Sequence, residues 1–396
     1  MKNEERNSMR FLYKTTECVS AGHPDKVADV ISDSVLDAHL ALDPRAKVAC
    51  EVMVKDDVVI LAGEITSRAF TKPDLVEVVN QAVCNLGYNR PELKFCVDQL
   101  KIMNLITQQS PEINAAVVGN GDEKSLGAGD QGIMWGYATD ETPNYMPLGM
   151  YLARGIMNAM KPLAWDTLFA DCKTQVTIEY DEQTAKPLRV SHVVVSCLHD
   201  RDVGIEKIRD IMKERLAAYT ATLPADLGRL FFDPRIELIF NHAGSWTFGG
   251  PAADTGLTGR KIVVDAYGAE CEVGGGAFSG KDGTKVDRSG AYAARYIAKN
   301  IVAAGYAKKC KVQLGYVIGN SEPVSFNIDF LGTGSYPFLD EQTAERIIRS
   351  RMQLTPGFFI EKFKLTEPNF AETARNGHFG VAHYPWEQID LGLVPA

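Results

Sequence analysis

Alternating apolar and polar positions occur as pairs of short runs at three places along the chain, and each pair adjoins a stretch whose apolar residues recur every three to four positions. VACEVMV (48–54) and VVILAGEIT (58–66), joined by a short charged turn, predict a hairpin, and the pattern from Pro73 to about Leu86 predicts a helix after it. Thr174 to Tyr180 and Val190 to Cys197 predict a second hairpin, with Ile205, Ile208, Met212, Leu216 and Tyr219 marking its helix. Lys311 to Ile318 and Val324 to Ile328 predict a third. Further helices are expected after Lys26, from Tyr151 to Met160, and from Asp287 onward, where Val286, Gly290, Ala293, Ile297 and Ile301 share one face. The recurrence of hairpin and helix at about a hundred residues reads as an internal pseudo-repeat. Tyr13 to Lys26 reads as irregular, and GHFGVAHYPWE near the end reads as an aromatic C-terminal wrap.

Three stretches interrupt this regularity. GGGAFSGKDGTKVDRS (274–289) combines five glycines with Lys281, Lys285, Asp282 and Asp287 just ahead of a helix start. Backbone N–H groups freed of Cβ hindrance, fixed positive charge and a helix N-terminus make an anion site, and aspartates supply the hard oxygens magnesium takes beside phosphates. A glycine-rich surface turn is the plain alternative. Gly275 to Lys281 also fits the P-loop spacing, but Asp282 stands where that motif needs Ser or Thr, and a further turn delays the helix. GAGDQG (127–132) matches a dinucleotide fingerprint yet lacks the strand before and the helix after it, leaving Asp130 as a carboxylate held in a glycine-flanked turn. The small polar residues before it, Gly119 to Gly127, have the profile of a mobile loop. In GHPDK (22–26), His23 and Asp25 sit just before a helix, where an anion is favoured. Glu51 and Glu64 fall within apolar strands; such a carboxylate faces solvent or, if buried, must be paired or bind a cation.

A chain of 396 residues suggests two or three domains, and 45% hydrophobic with 23% charged residues is ordinary for a globular protein. The net charge of −9 excludes a general nucleic-acid binder, though not a small polyanion. The polar start MKNEERNSMR lacks a secretory run, and no segment approaches the roughly 18 apolar residues of a membrane span. Eight cysteines without a C-x-x-C pair read as reduced thiols, neither a disulfide frame nor a zinc site, and the expected location is cytoplasmic.

GHPDK, GAGDQG and GGGAFSGKD, in this order and spacing, make the sequence similar to the S-adenosylmethionine synthetases, or methionine adenosyltransferases, from about Phe11 to Trp386. The resemblance implies an α+β fold of three pseudo-threefold-related α/β domains, each a mixed or antiparallel sheet covered by helices. The expected divisions are 9–112, a gating loop at 113–126, 127–247, and 248–396. It implies attack of the methionine sulfur on C5′ of ATP with loss of triphosphate, which is then cleaved to pyrophosphate and phosphate. His23, Lys173, Arg260 and Lys281 are the implied catalytic residues. Glu64, Gln109, Asp130, Asp171, Trp246, Asp254, Lys261 and Lys285 are the implied substrate contacts. Asp25 and Asp287 would hold two magnesium ions, Glu51 a potassium ion, and Glu17 would be a further metal-side carboxylate. The implied assembly is a homodimer with active sites at the subunit interface, or a homotetramer. An NTPase or kinase using residues 275–281 is the alternative. The run Asn241-His242-Ala243-Gly244-Ser245-Trp246 departs from the family's Asn-Pro-(Ser/Thr)-Gly, with Trp246 at the adenine-stacking position.

Overall fold

The structure, a computed structural model, describes residues 10–109, 126–161, 167–336 and 339–394. In chain order its main elements are β1 (Phe11–Val19), α1 (Pro24–Leu42), β2 (Lys47–Lys55), β3 (Val58–Thr66), α2 (Leu75–Asn85), β4 (Lys101–Gln108), β5 (Gly132–Thr139) and α3 (Leu148–Ala159). There follow β6 (Leu168–Asp181), β7 (Pro187–His199), α4 (Ile205–Thr222), β8 (Glu237–Phe240), β9 (Gly256–Leu257), α5 (Val286–Ala303), β10 (Lys309–Tyr316) and β11 (Ser325–Asp329). The chain closes with α6 (Glu341–Arg351), α7 (Pro356–Lys362) and α8 (Phe370–Asn376). The predicted gating segment, 113–126, lies outside the described residues except for Leu126.

The predicted hairpins are β2/β3, β6/β7 and β10/β11, and each seeds one sheet, ordered β4-β3-β2-β9, β1-β6-β7-β8 and β11-β10-β5. The first strand of each hairpin also pairs antiparallel with a strand from another third of the sequence: β2 with β9, β6 with β1, and β10 with β5. In two sheets the second hairpin strand takes a parallel neighbour, β3 with β4 and β7 with β8. The order strand, helix, hairpin, helix therefore recurs as β1-α1-β2-β3-α2, β5-α3-β6-β7-α4 and β9-α5-β10-β11-α6. This is the α+β architecture of mixed and antiparallel sheets that the sequence implied.

The chain forms two compact units, one of Met1–Ser20 with Gly149–Thr247 and one of Ala21–Leu148 with Phe248–Ala396. In the first, the reading of Tyr13–Lys26 as irregular is corrected, because Phe11 to Val19 pairs along its length with Asp181 to Lys173. Its threonines hid the strand: Thr15 meets the Thr177 hydroxyl at 2.9 Å, so a polar face replaces the expected apolar alternation. The cysteine reading is also corrected at one pair. Cys172 and Cys197 face each other across β6 and β7 and form a disulfide, while the other six cysteines are free. Register, which a 25-residue separation does not reveal, brings them together.

In the second unit α1 and α5 are buried on nearly every side. Polar groups on α5 are matched accordingly: Arg295 donates to both Glu387 oxygens at 2.9 and 3.0 Å, and Lys299 to Glu387 at 2.8 Å. Trp386 stacks on Tyr292 with ring centroids 3.8 Å apart, so the aromatic tail does wrap α5. No helix among the described residues is long and apolar enough to cross a membrane.

Candidate active site

α1 starts at Pro24 because His23 has extended backbone and its Nδ1 accepts from the Asp25 N–H at 3.2 Å, while proline at the first helical position forfeits no hydrogen bond. From there an aspartate falls at every fourth position, and each turns its carboxylate to a backbone N–H elsewhere in the same unit. Asp25 accepts from Leu257 at 3.0 Å, Asp29 from Gly259 at 2.9 Å and Asp33 from Gly280 at 2.8 Å. Asp37 accepts from Phe370 and Ala371 at 2.8 and 2.9 Å, at the start of α8. One helix stripe thus fixes the segment around 257–261 and the glycine loop against α1.

The same stripe gathers cations. Lys261 Nζ lies 2.6 Å from Asp25 Oδ2, with Arg260 Nε 3.6 Å from Oδ1. Lys26, itself buried, bridges Asp265 at 2.5 Å and Asp29 at 3.0 Å. Burial opposes its charge, but the two carboxylates prevail and hold its pKa above the usual lysine value. Arg288, fully buried, donates to Phe278 O at 2.7 Å, to the Tyr292 hydroxyl at 3.2 Å and to Asp33. Burial lifts the Asp33 carboxyl to about 7 although Arg288 and the Gly280 N–H pull it down.

The glycine loop is laid along β2. Cys50 donates to Gly280 O at 2.9 Å, and Lys281 bridges antiparallel to Ala49. Gly280 has φ of 80°, and a Cβ there would meet Cys50 O at 2.0 Å, so only glycine fits. Asp282 accepts from Val48 N–H at 2.7 Å, Thr284 N–H at 2.8 Å and Lys285 Nζ at 2.5 Å. Burial disfavours its charge, but Lys285 and these donors outweigh that and hold its pKa below the usual carboxylate value. Lys281 pairs with Asp287, in the first turn of α5, and Lys285 occupies the position before that helix. A Cβ on Gly276 would reach Asp287 at 2.2 Å and one on Gly129 would reach Thr284 O at 3.1 Å, so the Asp130 turn lies against this loop. Ala128 N–H donates to Asn320 O at 2.8 Å and anchors that turn from behind.

Glu51 and Glu64 lie on the exposed face of β2 and β3, in diagonal positions across the hairpin. Burial of part of Glu51 raises its pKa, Glu64 raises it further and Lys281 opposes both. Gln109 Oε1 accepts from Thr66 at 3.2 Å. Asp254 is exposed, beyond a turn whose Gly250 abuts the Tyr88 ring; the Tyr88 hydroxyl donates to Gly22 O at 2.5 Å. The structure therefore brings His23, Asp25, Arg260 and Lys261 together on one side of α1, and Lys281, Lys285, Asp287, Asp130 and Glu51 around the loop. Glu17, Asp171, Lys173 and Trp246 belong to the other unit. There Glu17 is exposed on β1, Asp171 is buried on β6 and Lys173 is exposed beside it, paired with Val19 and Ser196.

Models of the S-adenosylmethionine synthetase N-terminal, central and C-terminal domains match residues 11–111, 125–246 and 248–388 in turn. The S-adenosylmethionine synthase of Salinibacter ruber is 43% identical over 386 residues, covering 96% of each chain. The chain belongs to the S-adenosylmethionine synthetase family. The synthase of Clostridium botulinum is likewise 43% identical, over 96% of this chain and 98% of its own. Among solved structures, that of an unusual S-adenosylmethionine synthetase from Campylobacter jejuni superposes with a TM-score of 0.86 at 36% identity, covering 96% of this chain and 97% of that one. The family's glycine loop is thus the loop laid on β2. Asp33 and Arg288 hold that loop, Asp29 holds the chain at Gly259, and Lys26 ties Asp29 to Asp265; of these the sequence reading passed over Asp29, Asp33 and Asp265. The four-residue spacing of Asp25, Asp29, Asp33 and Asp37 along a helix with an apolar face was the available signal.

Proposed function

We propose that this enzyme makes S-adenosylmethionine from ATP and L-methionine by attack of the methionine sulfur on C5′, expelling triphosphate that is then hydrolysed to pyrophosphate and phosphate. The observation that carries this reading is the gathering of Arg260, Lys261, Lys281 and Lys285, in a chain of net charge −9, onto carboxylates fixed by α1, β2 and the start of α5. A leaving group that takes away several negative charges needs cations placed in advance where that charge develops. His23 contributes a donor: its Nδ1 accepts from Asp25 N–H, so the ring proton rests on Nε2, ready for the departing oxygen. The sulfur needs no base; Glu64, Gln109, Asp254 and Lys285 orient methionine, Asp130 faces the developing sulfonium, and Lys173 and Asp171 complete the contacts to ATP. Trp246 stacks on adenine.

Among the described residues no cluster of three or more His, Cys, Asp or Glu could hold a metal by itself. Single carboxylates at Asp25 and Asp287, each beside lysines, fit magnesium, which keeps waters and shares phosphate oxygens. Bound there, two magnesium ions would neutralise phosphate charge. Glu51, with Glu64 close by, suits a potassium ion, and Glu17 is a further candidate carboxylate.

The assembly we favour is a homodimer through the open face of β4-β3-β2-β9. Register places Met53, Ile60, Met103, Leu105 and Leu257 on that face with Glu51 and Glu64, and Met103 and Leu105 are 51% and 55% exposed. A second copy covering it would set both glutamates at the interface; light scattering distinguishes dimer from tetramer and monomer.

The NTPase reading weakens further because Asp282, where a P-loop hydroxyl would stand, is occupied with Val48, Thr284 and Lys285. The deciding experiment is product analysis by mass spectrometry with ATP, magnesium and potassium, with and without methionine. S-adenosylmethionine, pyrophosphate and phosphate formed only with methionine support the proposal. ADP and phosphate formed regardless of methionine would overturn it.

A further inference from the structure

We infer that His199 is a positioning residue for the nucleotide base, acting through the backbone of Trp246; the inference rests on Trp246 being the residue that stacks on adenine. After β8 the chain turns sharply, with Asn241 at φ 40°, Gly244 at φ 100°, and Gly244 N–H donating to Asn241 O at 3.0 Å. This turn forms without the proline that the family resemblance led one to expect, and both of its ends are held by β7. At the near end Asn241 N–H donates to Val195 O at 2.9 Å. The Asn241 side-chain amide accepts from Cys197 N–H at 2.8 Å and donates to Cys197 O at 3.0 Å. Arg209 donates to Phe240 O and Asn241 O, each at 3.1 Å.

The far end is held by His199. Its own N–H donates to Trp246 O at 3.0 Å, and its Nε2 accepts from Trp246 N–H at 3.0 Å. The ring is buried, and Nδ1 lies 2.9 Å from Asp200 O. A carbonyl can only accept, so the proton sits on Nδ1 and Nε2 is the acceptor that Trp246 N–H requires. Both backbone groups of Trp246 are thus fixed by one residue, while His242, Ala243 and Ser245 between the anchors are exposed. An indole set on a backbone fixed at both polar groups surrenders only its side-chain rotations on stacking. Such preorganisation lowers the cost of binding the base and leaves the chemical step untouched.

The test compares His199→Leu, His199→Gln and Trp246→Ala for KM and kcat in S-adenosylmethionine synthesis and for hydrolysis of added tripolyphosphate, which has no base to stack. Loss of the Nε2 acceptor in His199→Leu should raise KM for ATP about tenfold, with kcat and the tripolyphosphate KM within about twofold of the parent. The amide oxygen of His199→Gln can accept the same N–H and should restore most of the ATP affinity. If Leu substitution prevents folding, His199→Asn, whose shorter amide falls short of Trp246, takes its place. An unchanged KM for ATP, equal loss of ATP and tripolyphosphate use, or no recovery in the Gln variant would each overturn the inference. If Trp246→Ala itself leaves the KM for ATP unchanged, the stacking assignment has failed; if it raises that KM and His199→Leu does not, only the role of His199 has failed.

Discussion

Replacing Arg288 by methionine removes the cation paired with Asp33 and leaves the Phe278 carbonyl without its arginine donor, all in a fully buried setting. Breaking a buried pair from one side costs about 3–5 kcal/mol, most of it the stranded partner. The two groups respond differently to each other. Burial opposes the Arg288 charge, yet Asp33 outweighs it and raises the arginine pKa, whereas at Asp33 burial prevails and lifts the carboxyl to about 7. Arginine does not give up its proton in proteins, so the proton that moves is the one on Asp33.

The sign of the pH dependence follows. A carboxyl whose pKa is raised on folding holds a proton that the unfolded chain has released, so stability falls as pH rises from the ordinary value toward the folded one. In the parent that fall ends near pH 7. Without the attraction of Arg288 the folded value moves higher and the fall continues, adding up to about 1.4 kcal/mol of destabilisation per pH unit above 7. Urea denaturation of parent and variant at about pH 6 and about pH 8.5 reads this directly, with the difference larger at the higher pH. Asp33→Asn in the Arg288→Met background should remove the pH dependence. A destabilisation equal at both pH values, or below about 1 kcal/mol, would refute the reasoning.

Gly280→Ala forces a side chain into positive φ and onto Cys50 O, so it should destabilise the enzyme by more than about 1 kcal/mol and displace Lys281; a melting curve and the KM for tripolyphosphate check it. Asp282 contributes stability that is present above its ordinary pKa and lost as pH falls through its lower folded value. Asp282→Asn should therefore melt earlier at neutral pH, with the gap closing as pH falls below the ordinary carboxylate range, as followed by circular dichroism. His23→Ala should slow S-adenosylmethionine formation by about a hundredfold or more yet spare hydrolysis of added tripolyphosphate; equal loss of both would contradict a donor to the leaving oxygen. Lys281→Ala should impair both reactions, because the phosphate charge it serves is common to them, and parallel rate measurements decide the matter.

The sequence by itself determined the hairpins and the long helices, because those depend on periodicities of two and of about 3.6 residues that local side chains impose. It also located GHPDK, the Asp130 turn and the glycine loop, since glycine, proline and clustered charge constrain the backbone wherever they occur. Tertiary structure alone decided which strands exchange between thirds of the chain, and so revealed β1, whose threonines conceal it, and the pairing of Cys172 with Cys197. It decided that Asp33, with Arg288, supports the glycine loop, that Asp29 holds Gly259 and that His199 grips Trp246. These contacts join residues from about 47 to about 255 positions apart. A buried charge or an imidazole acceptor takes its meaning from the partner that satisfies it, and no local pattern names a partner so distant.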